Sequence, residues 1–297
     1  MPPPQGMLKE ERGMGTNRDV ASEFGIVESR YEALNISVRQ FLARGERMFS
    51  VYNSTKELSD AGIDTAIVSV GATEQCGPHL PLHIDTLVAG YYARAWGEIL
   101  NAYVLPTMPF NTSEEHASFR GTVSLRPKTL IQVLEEVVAG LREQGFRKQV
   151  LTAGHGGSLW LGVFLKHINR LFGDIVVVDA HRGAGPVWEE ALRRAGLASR
   201  GEVHGGALSR ALALYLTPTS VTEGAYGGRV SEHLRAYADY VGWERIVPDG
   251  SWGSYDPAED GGVATAEAGR TLLEHFVREQ GERLKEHLKE ACHIKGI

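Results

Sequence analysis

From residue 65 onward the chain falls into a rhythm that few architectures accept. Continuously apolar runs at 65–70, 102–108, 149–153 and 175–180 alternate with amphipathic stretches at 87–100, 128–144, 159–171 and 187–195. The runs are too short to be helices of their own, and a strand apolar on both sides is one covered on both sides. Strands taking turns with helices then imply an α/β fold, a three-layer αβα sandwich around a mainly parallel sheet. In such sheets ligands bind outside the carboxyl ends of the strands.

That rule makes a prediction the sequence can answer, because reactive residues should follow each strand. After the first run comes ATEQCGPHLPLHIDT, a loop rich in Gly and Pro that holds Glu74, Cys76, His79, His83 and Asp85. After the second comes PFNTSEEHASFRGT, with Glu114, Glu115 and His116. The third is followed by Gly154, His155, Gly156 and Gly157, and the fourth ends at Asp179 and His181. Any one of these, His116 or His181 for instance, is as readily a packed core histidine as a functional one. A random scatter of 11 histidines over 297 residues would rarely reach every strand end. Carboxylate, imidazole and thiolate in neighbouring loops are the ligand types of a divalent cation site.

Residues 203–216 show helical spacing after a Gly-Gly entry, and His204 stands beside it, near backbone amides that can hold an anion. His204 is therefore a candidate acid or base on a bound substrate. Residues 253–262 form a turn-rich loop, and 265–292 read as a long amphipathic helix with no assigned chemistry. Ahead of the regular part, residues 1–19 carry Pro, Gly and charge without apolar periodicity and read as a mobile extension, while 20–58 suggest one or two short helices, for instance around 37–48. Residues 20–297 are expected to form a single domain, since the chain is 42% hydrophobic and long enough to bury a sizeable core.

The formal net charge of −6, with no basic block, gives no reason to expect nucleic acid, so a small-molecule substrate is the expected partner. No apolar run is long enough to span a bilayer. Two cysteines far apart, Cys76 and Cys292, do not make a disulfide framework, and with no basic-then-apolar leader the chain reads as cytoplasmic.

The residues reached so far resemble the creatininase, or creatinine amidohydrolase, family. GATEQCGPHLPLHIDT is similar to its Gly-Ser/Ala-x-Glu-Gln-His-Gly-Pro-His-Leu-Pro-Leu-x-x-Asp-Thr metal loop. EEHASFRGTVSL resembles its Glu-His-x-x-Phe-x-Gly-Thr segment, TAGHGGSLWL its Asn-Gly-His-Gly-Gly-Asn loop, EVHGGALSRALAL its His-Ala-Gly helix start, and WGSYDPAEDGGVATAEAG its closing pair of motifs, with an insertion. The resemblance covers about residues 61–273. It implies a metal-dependent amidohydrolase that cleaves a C–N bond in a small amide, cyclic amide or formamide, assembled as a homohexamer, with one or two divalent cations per chain. Zinc is the expected cation, with manganese or iron as alternatives. Carried over by position, Glu74, Asp85 and His155 match the ligands of one metal and His204 the proton-shuttling histidine. The candidate catalytic residues are thus His204 and Glu74, and the candidate metal ligands Glu74, Asp85, His155 and Cys76.

The departures concern a second cation. Where the family has His in Glu-Gln-His, this chain has Cys76, and the two positions at which members carry a further glutamate are Gly157 and Ser209. Three outcomes stay open from sequence. Cys76 as thiolate could hold zinc together with Glu202 or His83; a single metal could sit on Glu74, Asp85 and His155; or the chain could be a non-hydrolytic binding or scaffolding paralogue. The segment 225–260, rich in Tyr, Trp and Gly, is expected to form a lid or a subunit contact.

Overall fold

The computed structural model describes residues 49–197, 204–224, 230, 232–252 and 261–297. The expected extension at 1–19, the helix around 37–48, Glu202 and most of the loop at 253–262 lie outside the described residues, as does part of the 225–260 segment.

A five-stranded, all-parallel sheet runs in the order β1-β3-β2-β4-β5, with β1 at Phe49–Ser50, β2 at Thr65–Val70, β3 at Tyr103–Val104, β4 at Lys148–Ala153 and β5 at Val176–Asp179. The described helices of seven residues or more are α1 at Thr55–Ala61, α2 at Ile84–Leu100, α3 at Pro127–Glu143, α4 at Trp160–Leu171, α5 at Gly185–Arg194, α6 at Ala207–Leu216 and, last, α7 at Ala266–Lys295. Side chains alternate across each strand, so the sheet has two apolar faces. Ile67, Val150, Val176 and Val178 look into a core built with Trp96, Leu212, Leu272 and Phe276 from α2, α6 and α7. Ala66, Val68, Val70, Leu151 and Val177 look the other way, onto Leu130, Leu134 and Val138 of α3 and Phe164 and Ile168 of α4. This is the expected αβα sandwich, and its continuous apolar strands are explained by burial on both faces.

Sequence spacing and structure differ at the strand Phe49–Ser50, which the spacing does not predict, and at two places near the sheet edge. The run at 102–108 gives only two residues of strand, because its pairing with β2 slips by one residue: the Leu105 amide donates to the Ile67 carbonyl over 3.1 Å, but the next bond comes from Met108 instead of Thr107. Pairing resumes as the isolated parallel bridge of Val70 with Met108, where the Met108 amide donates to the Ser69 carbonyl over 2.9 Å. The helix expected from 203 begins at Ala207, after Gly205 at φ +69°, a left-handed conformation that favours glycine.

His181 is a core histidine. Its ring packs with Tyr92, Trp96 and Phe276, and its Nε2 meets the Thr152 hydroxyl at 3.0 Å. No described helix is long and apolar enough to cross a membrane.

Candidate metal centre

The carboxyl edge of β2 and β4 brings three loops together. β2 runs into the Glu74 loop, whose ends are tied by the Thr86 hydroxyl donating to the Ala72 carbonyl (2.8 Å) and the Glu74 amide donating to the Leu82 carbonyl (2.9 Å). That tie starts α2 at Ile84 and sets Asp85 in its first turn. β4 runs into Gly154, whose amide donates to the Val70 carbonyl over 2.9 Å. A Cβ on Gly154 would stand 2.1 Å from the Asp85 carbonyl oxygen and 2.9 Å from the Ala89 nitrogen. Only glycine lets the end of β4 approach α2 this closely, and that approach places His155 against Asp85.

Three groups of ligand-type atoms result, each with its members within 4.8 Å of one another: Glu74, Asp85 and His155; Glu74, His116 and His204; and Glu115, His116 and His155. Glu74 is the hub. Its Oε2 lies 3.0 Å from His155 Nε2 and accepts from the Ser113 hydroxyl over 2.5 Å, while its Oε1 lies 3.7 Å from His116 Nε2 and 3.9 Å from His204 Nδ1. The Glu74 side chain is 1% exposed, as is that of His116. Buried polar atoms normally have partners, yet Glu74 Oε1, Asp85 Oδ2 and His155 Nδ1 have no hydrogen-bond partner among the described residues.

The electrostatics follow from this crowding. Burial alone would raise the Glu74 carboxyl, but the hydrogen bond and charge of His155, with His116 and His204 adding, bring it down to about 2. Burial alone would lower the His155 imidazole, but Glu74, then Asp85 and Glu115, raise it to about 9. The two form an ion pair. Asp85 is pushed well above the ordinary carboxylate range by burial and by the Glu74 charge. His116 is pushed down to about 3, first by burial and then by the neighbouring His204, and burial also lowers His204.

His204 is pinned on both sides. Its backbone exchanges hydrogen bonds of 2.8 and 2.7 Å with Trp252, and its Nε2 meets the Gln75 carbonyl at 2.6 Å. Trp243, from the 225–260 segment, stands edge-on to the His116 ring at 4.5 Å and to the His204 ring at 5.6 Å, and packs with Trp252 and Val247 in a small apolar cluster. This cluster covers the histidine side of the centre.

Among the described residues, no such group includes Cys76, His79 or His83. Cys76 is buried in the apolar layer with Leu80 and Ile84. His79 is buried beyond the centre and pushed down to about 4, first by burial and then by the Arg210 charge. His116 and Glu115, noticed at a strand end without a role, instead enter the ligand-type groups. The signal was the Glu-His step in EEHASF. A Cβ on Gly157 would meet His155 Cε1 at 2.6 Å and Glu115 Oε1 at 2.9 Å, so the room beside the missing side chain is used by the Glu115 carboxylate.

The chain is similar to several characterised proteins. The creatininase family model, described as creatinine amidohydrolase, matches residues 52–284. A mycofactocin precursor peptide peptidase of Mycolicibacterium smegmatis is 36% identical over 112 residues, 36% of this chain and 45% of that protein. A creatinine amidohydrolase of Pseudomonas putida is 30% identical over 100 residues, 32% of this chain and 38% of that protein. The chain thus spans less than half the length of these curated relatives. A crystal structure of creatinine amidohydrolase superposes with a TM-score of 0.66 at 22% identity, over 82% of this chain and 98% of that one, and shares the fold. With the matched family model spanning most of its length and the motif residues gathered at one sheet edge, this chain belongs to the creatininase family.

Proposed function

We propose that the chain is a metal-dependent amidohydrolase that cleaves a C–N bond in a small amide, cyclic amide or formamide. The observation that carries this reading is the group of Glu74, Asp85 and His155. Asp85 Oδ2 is buried with no hydrogen-bond partner among the described residues, and two carboxylates and an imidazole share one buried site. A divalent cation fits that donor set, because it supplies the charge and the bonds these atoms lack. Solved members of the family include one described as a zinc–zinc form and one as a manganese form, which supports zinc or manganese here.

When bound, the cation supplies Lewis acidity that polarises a carbonyl and acidifies water. The remaining work belongs to the chain. Glu74, Asp85 and His155 hold the ion, and the Ser113 hydroxyl fixes the Glu74 carboxylate. His204 donates Nε2–H to the Gln75 carbonyl and so presents a bare Nδ1 toward Glu74, where it can take a proton from the attacking water and return it to the leaving nitrogen. Trp243 and its cluster keep bulk water from the histidines. A homohexamer accompanies this reading as a family expectation.

The test is elemental analysis of the purified protein together with turnover on a panel of cyclic amides, formamides and short peptides. The expected result is at least one divalent ion per chain, activity lost on chelation and restored by the ion, and loss of both in His155→Ala. Cleavage that survives chelation and His155→Ala would overturn the reading. Turnover of peptides alone would reject the small-amide class and keep the hydrolase.

A further inference from the structure

The hydrolysis proposed above leaves His116 without a task, although its ring is fully buried beside Glu74 and His204. The task follows from Gln75. The Gly77 amide can only donate, and it meets Gln75 Oε1 at 2.8 Å; the Gly250 carbonyl can only accept, and it meets Gln75 Nε2 at 2.9 Å. The orientation of the Gln75 amide is therefore fixed from both ends. Its Nε2 also meets His116 Nδ1 at 2.8 Å, so it donates there, and His116 Nδ1 must be bare. The neutral His116 ring then carries its hydrogen on Nε2, the atom that faces Glu74 Oε1.

The main chain of the same residue fixes the other histidine. The Gln75 carbonyl accepts from His204 Nε2, which leaves His204 Nδ1 bare and facing the same carboxylate oxygen. The two rings lie stacked, with centroids 4.4 Å apart. They carry the hydrogen on the same nitrogen yet present opposite ends to Glu74: His116 an N–H, His204 a lone pair.

A cation placed among Glu74, His116 and His204 would meet a hydrogen where it needs a lone pair. A water molecule meets one donor, His116 Nε2–H, and two acceptors, His204 Nδ1 and Glu74 Oε1, which match its lone pair and its two hydrogens. We propose that this group of ligand-type atoms is a water site and not a second metal site, with His116 as a further catalytic residue that orients the reacting water and Gln75 as the positioning residue that sets both histidines. The proposal rests on the hydrolytic reading above. In the step, the water oxygen bonds to the amide carbon, the carbonyl π pair moves to its oxygen, and one water proton goes to His204 Nδ1. When the carbonyl re-forms, the C–N bond breaks and the nitrogen takes that proton. His116 keeps its own hydrogen throughout.

The test uses the full chain loaded with zinc and labelled with 15N-histidine, in which long-range proton–nitrogen spectra tell which ring nitrogen carries the hydrogen. His116 and His204, identified by loss of their signals in His116→Gln and His204→Gln, are expected in the Nε2–H form. Gln75→Glu replaces the donor under His116 by a carboxylate oxygen and is expected to move the His116 hydrogen to Nδ1. Bound zinc per chain is expected to be the same in His116→Gln as in the parent protein. On a substrate that is turned over, His116→Phe is expected to lower kcat about 100-fold with KM nearly unchanged, and His116→Gln, which keeps an N–H, to recover part of that loss. A His116 hydrogen on Nδ1 in the parent protein, or loss of zinc in His116→Gln, would overturn the proposal; both are read without Gln75→Glu, should that variant not fold. The expected ring forms and zinc content in a protein with no hydrolysis would support the assignment and reject the reaction.

Discussion

Gly154→Ala tests how fold and centre are joined. The backbone of Gly154 needs no left-handed conformation, so the cost of the added methyl is steric alone. Its Cβ would lie 2.1 Å from the Asp85 carbonyl oxygen, and ordinary contact starts near 3.4 Å, so the end of β4 and the first turn of α2 must part by about 1 Å. Neither side is a flexible side chain that could swing away. Overpacking of this kind costs about 1–3 kcal/mol. For a domain of this size each kcal/mol lowers Tm by roughly 2–4 °C, so a fall of about 2–12 °C is expected by differential scanning calorimetry of the metal-free protein. The same displacement moves Asp85 away from His155, whereas ligand distances in a metal site hold within about 0.2 Å. Metal affinity is expected to fall about 10–100-fold in competition with a chromophoric chelator. An alanine variant with the parent's Tm and metal affinity would refute the claim that this close approach builds the centre.

Two other outcomes follow from the same geometry. Cys76→Ala is expected to keep the parent's metal content by elemental analysis while losing about 1 kcal/mol of stability, since the thiol packs with Leu80 and Ile84 in the apolar layer; a loss of metal would make Cys76 a ligand after all. Metal binding should release protons, because His155, raised to about 9, must give up its proton to bind a cation. The sign is fixed: affinity rises with pH below about 9, by about tenfold per pH unit from His155 alone, or about 100-fold between pH 6 and 8. Calorimetric titration in two buffers of different ionisation heat measures the release, and an affinity flat across that range would contradict the His155–Glu74 ion pair.

The sandwich was legible because burial on both faces leaves a mark at every strand residue. The strand at Thr65–Val70 lies where its apolar run lies, and α2, α3, α4 and α5 begin or end within a few residues of their periodic stretches. The rule that parallel strands deliver their following loops to one edge pointed to these loops, and the family resemblance singled out Glu74, Asp85 and His155 among their residues. The task of His116 was hidden for a different reason. It depends on the amide of Gln75 and, through it, on the carbonyl of Gly250, which is 175 residues further along the chain. No local pattern records which nitrogen of an imidazole carries the hydrogen. Sequence matching also compares position with position, so it looks for a carboxylate at 157 and finds glycine, while the space there is taken by Glu115 from another loop.

Three consecutive residues divide the labour of the centre. Glu74 sends a buried carboxylate among the histidines, Gln75 holds two imidazoles through its amide and its carbonyl, and Cys76 turns into the apolar layer below. Because the three face different surroundings, their substitutions should separate in measurement: Glu74 through metal content, Gln75 through the ring hydrogens, Cys76 through stability. A cysteine in place of a histidine at the third position removes a ligand only if that position faces the centre. Cys76 is buried in one apolar cluster with Leu80 and Ile84, so on the reading proposed above its exchange would bear on how many cations the edge can hold, while Glu74, Asp85 and His155 would still offer a first cation three donors.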